Sequence, residues 1–157
     1  MKKYYFSLLF TLCAFFLFGQ STINITTSGG SWNGERWTSV TTAINGGGTV
    51  VWSQGANIGD NAGDINVDIS LAAGTYYVNC YDTYGDGWNG GLITVTDYAG
   101  NVIGDNGGVT PNNGTGGSND LEASFQIIVP AAPSCNAPTA LASSNVTATS
   151  ADVSWTA

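Results

Sequence analysis

Beyond residue 20 the apolar positions alternate with polar ones, and no run of ten or more residues keeps a 3.6-residue apolar period. Ile65, Val67, Ile69 and Leu71 alternate with Asn66, Asp68 and Ser70; Leu121, Ala123, Phe125, Ile127 and Val129 alternate with Glu122, Ser124 and Gln126. Successive side chains of a strand point to opposite faces, so each pattern predicts a half-buried strand. Shorter candidates cover residues 22–27, 36–42, 49–52, 75–82 and 92–97. Asn-Gly steps at Asn33, Asn45, Asn89, Asn106 and Asn113 supply the positive backbone angles that tight hairpins need. Seven or eight short strands in about 110 residues predict an all-β fold, an antiparallel β-sandwich of jelly-roll type. A domain of this size buries about two thirds of its unfolded surface and needs no staple. Residues 104–119, rich in Gly, Asn and Thr, read as a mobile loop.

The first 20 residues break this pattern. Met1-Lys2-Lys3 precedes an apolar run, Tyr4 to Phe18, broken only by Ser7 and Thr11, and Gly19-Gln20-Ser21 follows. A basic start, about 15 apolar residues and a small-residue exit predict a secretory signal peptide over 1–20, cleaved after Gly19 or Ser21. The alternative is an uncleaved anchor, but the run is shorter than the roughly 20 residues of a typical spanning helix, so no stable membrane insertion is expected. Cys13 leaves with the signal, so Cys80 and Cys135 remain. They could pair in an oxidising destination. Equally, Cys80 falls in a strand pattern and suits a small buried hydrophobe, while Cys135 could pair outside this sequence.

Composition narrows the chemistry. The 157 residues hold 3 Lys+Arg, 11 Asp+Glu and no His. Two of the bases are Lys2 and Lys3, so past residue 20 Arg36 alone faces eleven acids, a net charge of −10. Nucleic-acid binding is excluded, because one Arg cannot neutralise a run of phosphates. Adhesion to anionic lipid through a polybasic patch fails for the same reason. Without His there is no Ser-His-Asp or Cys-His catalytic set and no usual zinc site. Carboxylate and carbonyl oxygens remain, which favours hard cations such as calcium.

Those oxygens concentrate in Tyr81-Asp82-Thr83-Tyr84-Gly85-Asp86-Gly87-Trp88-Asn89-Gly90-Gly91, a loop between two expected strands. Calcium takes 6 to 8 oxygens at about 2.3–2.6 Å, and glycines between acids let carbonyls turn inward. Asp82 and Asp86 are the candidate anionic ligands, Asn89 a neutral one, and carbonyls near Tyr84 and Trp88 would complete the shell. The spacing is not that of an EF-hand. The plainer reading has Asp82 and Asp86 capping a wide turn that Trp88 covers. Trp88 and Tyr84 are also candidate ligand-binding residues, since Trp32, Trp37, Trp52 and Trp88 with Tyr76, Tyr77, Tyr81 and Tyr84 could build a sugar-stacking platform, although aromatics in a sandwich are more often core. Asp82 and Asp86 do not read as a hydrolase pair, because about 110 residues leave little room for a substrate cleft beside the core.

Two resemblances add to this. Gly74-Thr75-Tyr76, the Asp82-to-Gly91 loop and the short strand after it resemble the D-x-Y-G-D-G-W-N-G β-sandwich modules of exported proteins from Bacteroidetes-type bacteria, loosely over residues 22–129. The resemblance implies that Glu35, near Trp37, matches an acidic strand position and could reach the same ion; the plainer reading pairs Glu35 with Arg36. Pro130-Ala131-Ala132-Pro133 opens a stiff linker over 130–134. Beyond it, Pro138, Leu141, Val153 and Trp155 resemble the opening of a fibronectin type III domain, of which residues 135–157 are an incomplete part. The expected organisation is thus a signal peptide (1–20), a calcium-binding-type sandwich module (21–129), a linker (130–134) and a truncated second domain from a longer protein. Such modules imply a non-catalytic adhesion or spacer role in a secreted or cell-surface bacterial protein, meeting an extracellular glycan or protein. The alternatives are a carbohydrate-binding module or an accessory domain of a secreted peptidase or glycosidase.

Overall fold

A computed structural model describes residues 19–105, 117–134 and 139–156. The apolar run of the expected signal, most of the expected loop (106–116) and Cys135 lie outside the described residues. The strands are β1 (Gln20–Ser28), β2 (Arg36–Thr41), β3 (Val50–Ser53), β4 (Asn66–Ala72), β5 (Gly74–Asp82), β6 (Leu92–Asp97), β7 (Val102–Asp105), β8 (Asp120–Val129), β9 (Thr139–Ser144) and β10 (Asp152–Thr156). Among the described residues they form two four-stranded sheets, β4-β1-β6-β7 and β3-β2-β5-β8, and the β9-β10 hairpin. All pairings are antiparallel.

The two larger sheets share one core. Ile23 and Ile25 of β1, Ile69 and Leu71 of β4, and Ile93 and Val95 of β6 pack with Val40, Val78, Cys80, Ile127 and Val129 of the other sheet. This is a sandwich-like all-β arrangement, as the period-two pattern predicts. Along β4, Asn66, Asp68 and Ser70 are exposed while Ile69 and Leu71 are buried. Truncating Ile23 or Ile25 to Ala would cost about 2–5 kcal/mol, because neither is exposed to water and the cavity left behind collapses only in part.

Departures from simple alternation have local causes. All six residues of β2 are buried. One face of β2 meets the core through Val40, and loop residues cover the other: the Trp37 indole donates to the Asp60 carbonyl at 3.1 Å, and Gly46 N donates to Asn79 Oδ1 at 2.8 Å. Glu122, expected to face solvent, is 7% exposed. Tyr81 pairs with Leu121 and Cys80 with Ala123, so Glu122 is the extra residue of a β-bulge. Asn45 and Gly46 both have positive φ, at 58° and 71°, in the turn between β2 and β3, as an Asn-Gly step requires.

The loop expected over 104–119 begins later than its composition suggests, because Gly104 and Asp105 belong to β7 and pair with Val95 and Thr94. A Cβ on Gly104 would lie 2.5 Å from Ile127 Cγ2 and 3.0 Å from Phe125 Cε2, so only glycine lets β7 approach the side chains of β8. Among the described residues no helix is long and apolar enough to cross a membrane.

Candidate metal centre

Asp82 closes β5 and is fully buried. Its Oδ1 accepts from Tyr84 N at 2.8 Å and its Oδ2 from Asp86 N at 3.2 Å, which wraps the following residues around the carboxylate as an aspartate-led turn does. Each carboxylate oxygen has more than one acceptor direction, so these bonds leave capacity for an ion. Asp86, further along the loop, is exposed, and Glu35 stands at the end of a short 3-10 turn, Asn33–Glu35, before β2. Glu35 is tied to the loop through its backbone, since Thr83 N donates to Glu35 O at 2.9 Å. One carboxylate oxygen from each of Glu35, Asp82 and Asp86 lies within 4.8 Å of the others. Partial burial first, and then the negative charges of Asp82 and Asp86, hold the Glu35 carboxyl above its usual range.

The other expected ligands are placed differently. Asn89, at φ 48°, donates its Nδ2 to Asp86 Oδ1 at 2.9 Å and to Gly87 O at 2.9 Å, so its amide braces the loop beside the acids. The Trp88 carbonyl accepts from Gly91 N at 2.7 Å and from the Arg36 guanidinium at 3.4 Å. The Trp88 ring is 1% exposed within the core, and its indole donates to Tyr81 O at 2.8 Å, so it offers no free face to a sugar. Tyr84 is 68% exposed and Trp32 70% exposed. With Glu35 and Asp86 they line a recess of about 370 Å³. Trp32 holds the left-handed φ of 55°, a strained choice for a bulky residue and of the kind found where a side chain must be held at a site. Of the remaining aromatics, Trp37 is buried against Tyr81, and Trp52 and Tyr76 pack on the core.

Arg36 explains how the two loops are held together. The expected pairing with Glu35 is not made: Arg36 Nη1 donates to Asp64 Oδ1 at 2.7 Å. Nη2 reaches the carbonyls of Gly29 and Ser31, and the guanidinium lies 5.8 Å from the centre of the Trp88 ring. Gly91 makes room for it, since a Cβ there would lie 2.5 Å from Arg36 Cζ. Asp64 also accepts from Asn33 Nδ2 at 3.1 Å and from the Thr27 hydroxyl at 3.3 Å. Sequence reasoning missed Asp64, whose signal is the single base past residue 20: a buried Arg must find an acid.

Fold and site together define an all-β sandwich with a three-carboxylate cluster able to coordinate a divalent ion. No family model, curated protein or solved structure matches the chain. Cys80 is buried and free, and burial pushes its thiol far above the ordinary range.

Proposed function

We propose that this chain is a non-catalytic, calcium-stabilised adhesion module of an exported, multidomain bacterial surface protein. The observation that carries the reading is the convergence of Glu35, Asp82 and Asp86 on one spot, one of them wholly buried, in a chain with a large excess of acids. Three carboxylates brought together repel one another, and a divalent cation turns that repulsion into attraction. The donors are hard oxygens with no His or thiolate among them, which suits calcium better than zinc or copper. The exposed Trp32 and Tyr84 beside the cluster would form the rim at which an extracellular partner meets the cation-locked loop. Crossings between the sheets at β1–β2, β3–β4, β4–β5, β5–β6 and β7–β8 support a jelly-roll-like sandwich. The β9-β10 hairpin supports a fibronectin type III opening. The leader-like N-terminus supports export.

Thermal unfolding with calcium and with a chelator tests the ion. A ligand that binds only the folded state at a hundredfold excess over its Kd adds about 2.7 kcal/mol. Calcium should therefore raise the melting temperature of the native chain and leave Asp86→Ala nearly unmoved. A melting curve of the native chain that ignores both calcium and chelator would remove the metal claim. Calcium-dependent retention of the chain on bacterial or host surface material, lost in Trp32→Ala, would then test adhesion.

A further inference from the structure

A second cavity, of about 400 Å³, lies on the outer face of the β3-β2-β5-β8 sheet, and none of Glu35, Asp82 and Asp86 lines it. Val40, Val78 and Cys80 face the core, so the alternate residues Trp37, Ser39 and Thr41 of β2 and Tyr81 of β5 turn to the opposite side. These four line the sheet side of the cavity, and Asn57 and Asn119 line its loop side. Trp37 and Tyr81 are paired across the strands and meet edge to face, with ring centres 5.4 Å apart.

The chemistry of this lining differs from that of the rest of the molecule. In a chain with eleven acids, no Asp, Glu, Lys or Arg among the described residues lines the cavity, which offers hydroxyls, amides, aromatic carbon and the aliphatic carbon of Val50 and Ile58. Some of its polar groups are committed: the Thr41 hydroxyl donates to Ala43 O at 2.7 Å and accepts from Asn79 Nδ2 at 2.9 Å, and Asn57 Nδ2 donates to Asp60 Oδ2 at 3.0 Å. Others have capacity left. Ser39 Oγ takes only a 3.5 Å contact from Asn79, and the Tyr81 hydroxyl and Asn119 carboxamide have no partner among the described residues.

We infer that this cavity binds one uncharged pyranose unit of a glycan. A pyranose presents apolar C–H groups to the half-buried Tyr81 ring, Trp37 being 4% exposed and serving as the floor behind it, while its hydroxyls both donate and accept, as the Tyr81 hydroxyl and the exposed Asn119 carboxamide require. A charged ligand would lose its hydration with no counter-charge in the lining. The volume lies near the lower end of the roughly 300–1,000 Å³ typical of ligand pockets, which suits a single small ring system. The site does not depend on the cation.

The test titrates the chain with methyl glycosides of glucose, galactose, mannose and N-acetylglucosamine, with glucuronic acid as the charged control, following the Trp37 indole N–H by heteronuclear NMR. At least one neutral glycoside should shift that signal saturably, equally with calcium and with chelator. Tyr81→Phe, which keeps the ring, and Asn119→Ala should each weaken the affinity about fivefold, the loss of one hydrogen bond. The inference is overturned if no neutral glycoside gives a saturable shift, if glucuronic acid binds as tightly as the best neutral sugar, or if Tyr81→Phe and Asn119→Ala both bind as the native chain does. Sugar binding that disappears with chelator would likewise overturn it, by assigning the sugar to the acidic recess.

Discussion

Replacing Arg36 by Met should strongly destabilise the sandwich. Arg36 is 1% exposed and is the one base beyond residue 20. Its bond to Asp64 is partly wet, since the Asp64 side chain is 35% exposed, and so contributes about 1 kcal/mol. The charge-assisted bonds to Gly29 O and Ser31 O together add about 2 kcal/mol net, and the contact with the Trp88 ring about 0.5 kcal/mol. The total of about 3–4 kcal/mol is a large share of the 5–15 kcal/mol that holds a domain folded. At about 4–8 °C per kcal/mol it corresponds to a fall of about 12–32 °C in melting temperature. Arg36→Lys should fall in between, because a point charge cannot serve the carboxylate and both carbonyls together. Circular-dichroism melts of Arg36→Met, Asp64→Asn and Glu35→Gln separate the observed clamp from a pairing of neighbours in sequence: Asp64→Asn should lower stability and Glu35→Gln should not. If Arg36→Met melts within a few degrees of the native chain, or Glu35→Gln is the damaging change, the clamp has been misread.

Three further outcomes follow from the same geometry. With calcium removed, folded Glu35 holds its proton more tightly than the unfolded chain does, so stability falls as pH rises from 4.5 through the raised folded value and returns on acidification. Glu35→Gln should flatten that limb, and superimposable pH–melting profiles for the two proteins would contradict it. The Cys80 thiol should resist alkylation in the native state and react once the chain is unfolded, as mass spectrometry would report, because it is buried and its thiolate is strongly disfavoured. On the proposed export, signal cleavage should fall after Gly19 and leave Gln20 at the N-terminus: Ser21 is 1% exposed and pairs with Leu71, so cutting after Ser21 would strip two residues from β1. N-terminal mass spectrometry of the exported protein decides this.

The strands were legible in the sequence because burying one face of a sheet imposes a period of two, and Ile23, Ile25, Ile69 and Leu71 obey it. Of the three clustered acids, Asp82 and Asp86 were legible because they sit four residues apart in one Gly-rich loop and Glu35 only through resemblance, and the Asn45-Gly46 turn was legible because its dipeptide encodes its backbone angles. Strand β7 was not legible: its Gly104 reads as loop, and only the closeness of Phe125 and Ile127 makes glycine the residue a strand needs there.

Local pattern and composition therefore determined the all-β class and the acid-rich loop. The tertiary structure decided which distant groups meet. It brought Glu35 to Asp82 and Asp86 across the β2-β5 pairing, gave Arg36 to Asp64 rather than to its neighbour, and buried Trp88 while leaving Trp32 exposed. The physical reason is range. Backbone angles and face alternation are set by residues a few positions apart, whereas charge pairing and burial depend on groups separated by tens of residues until the sheets close.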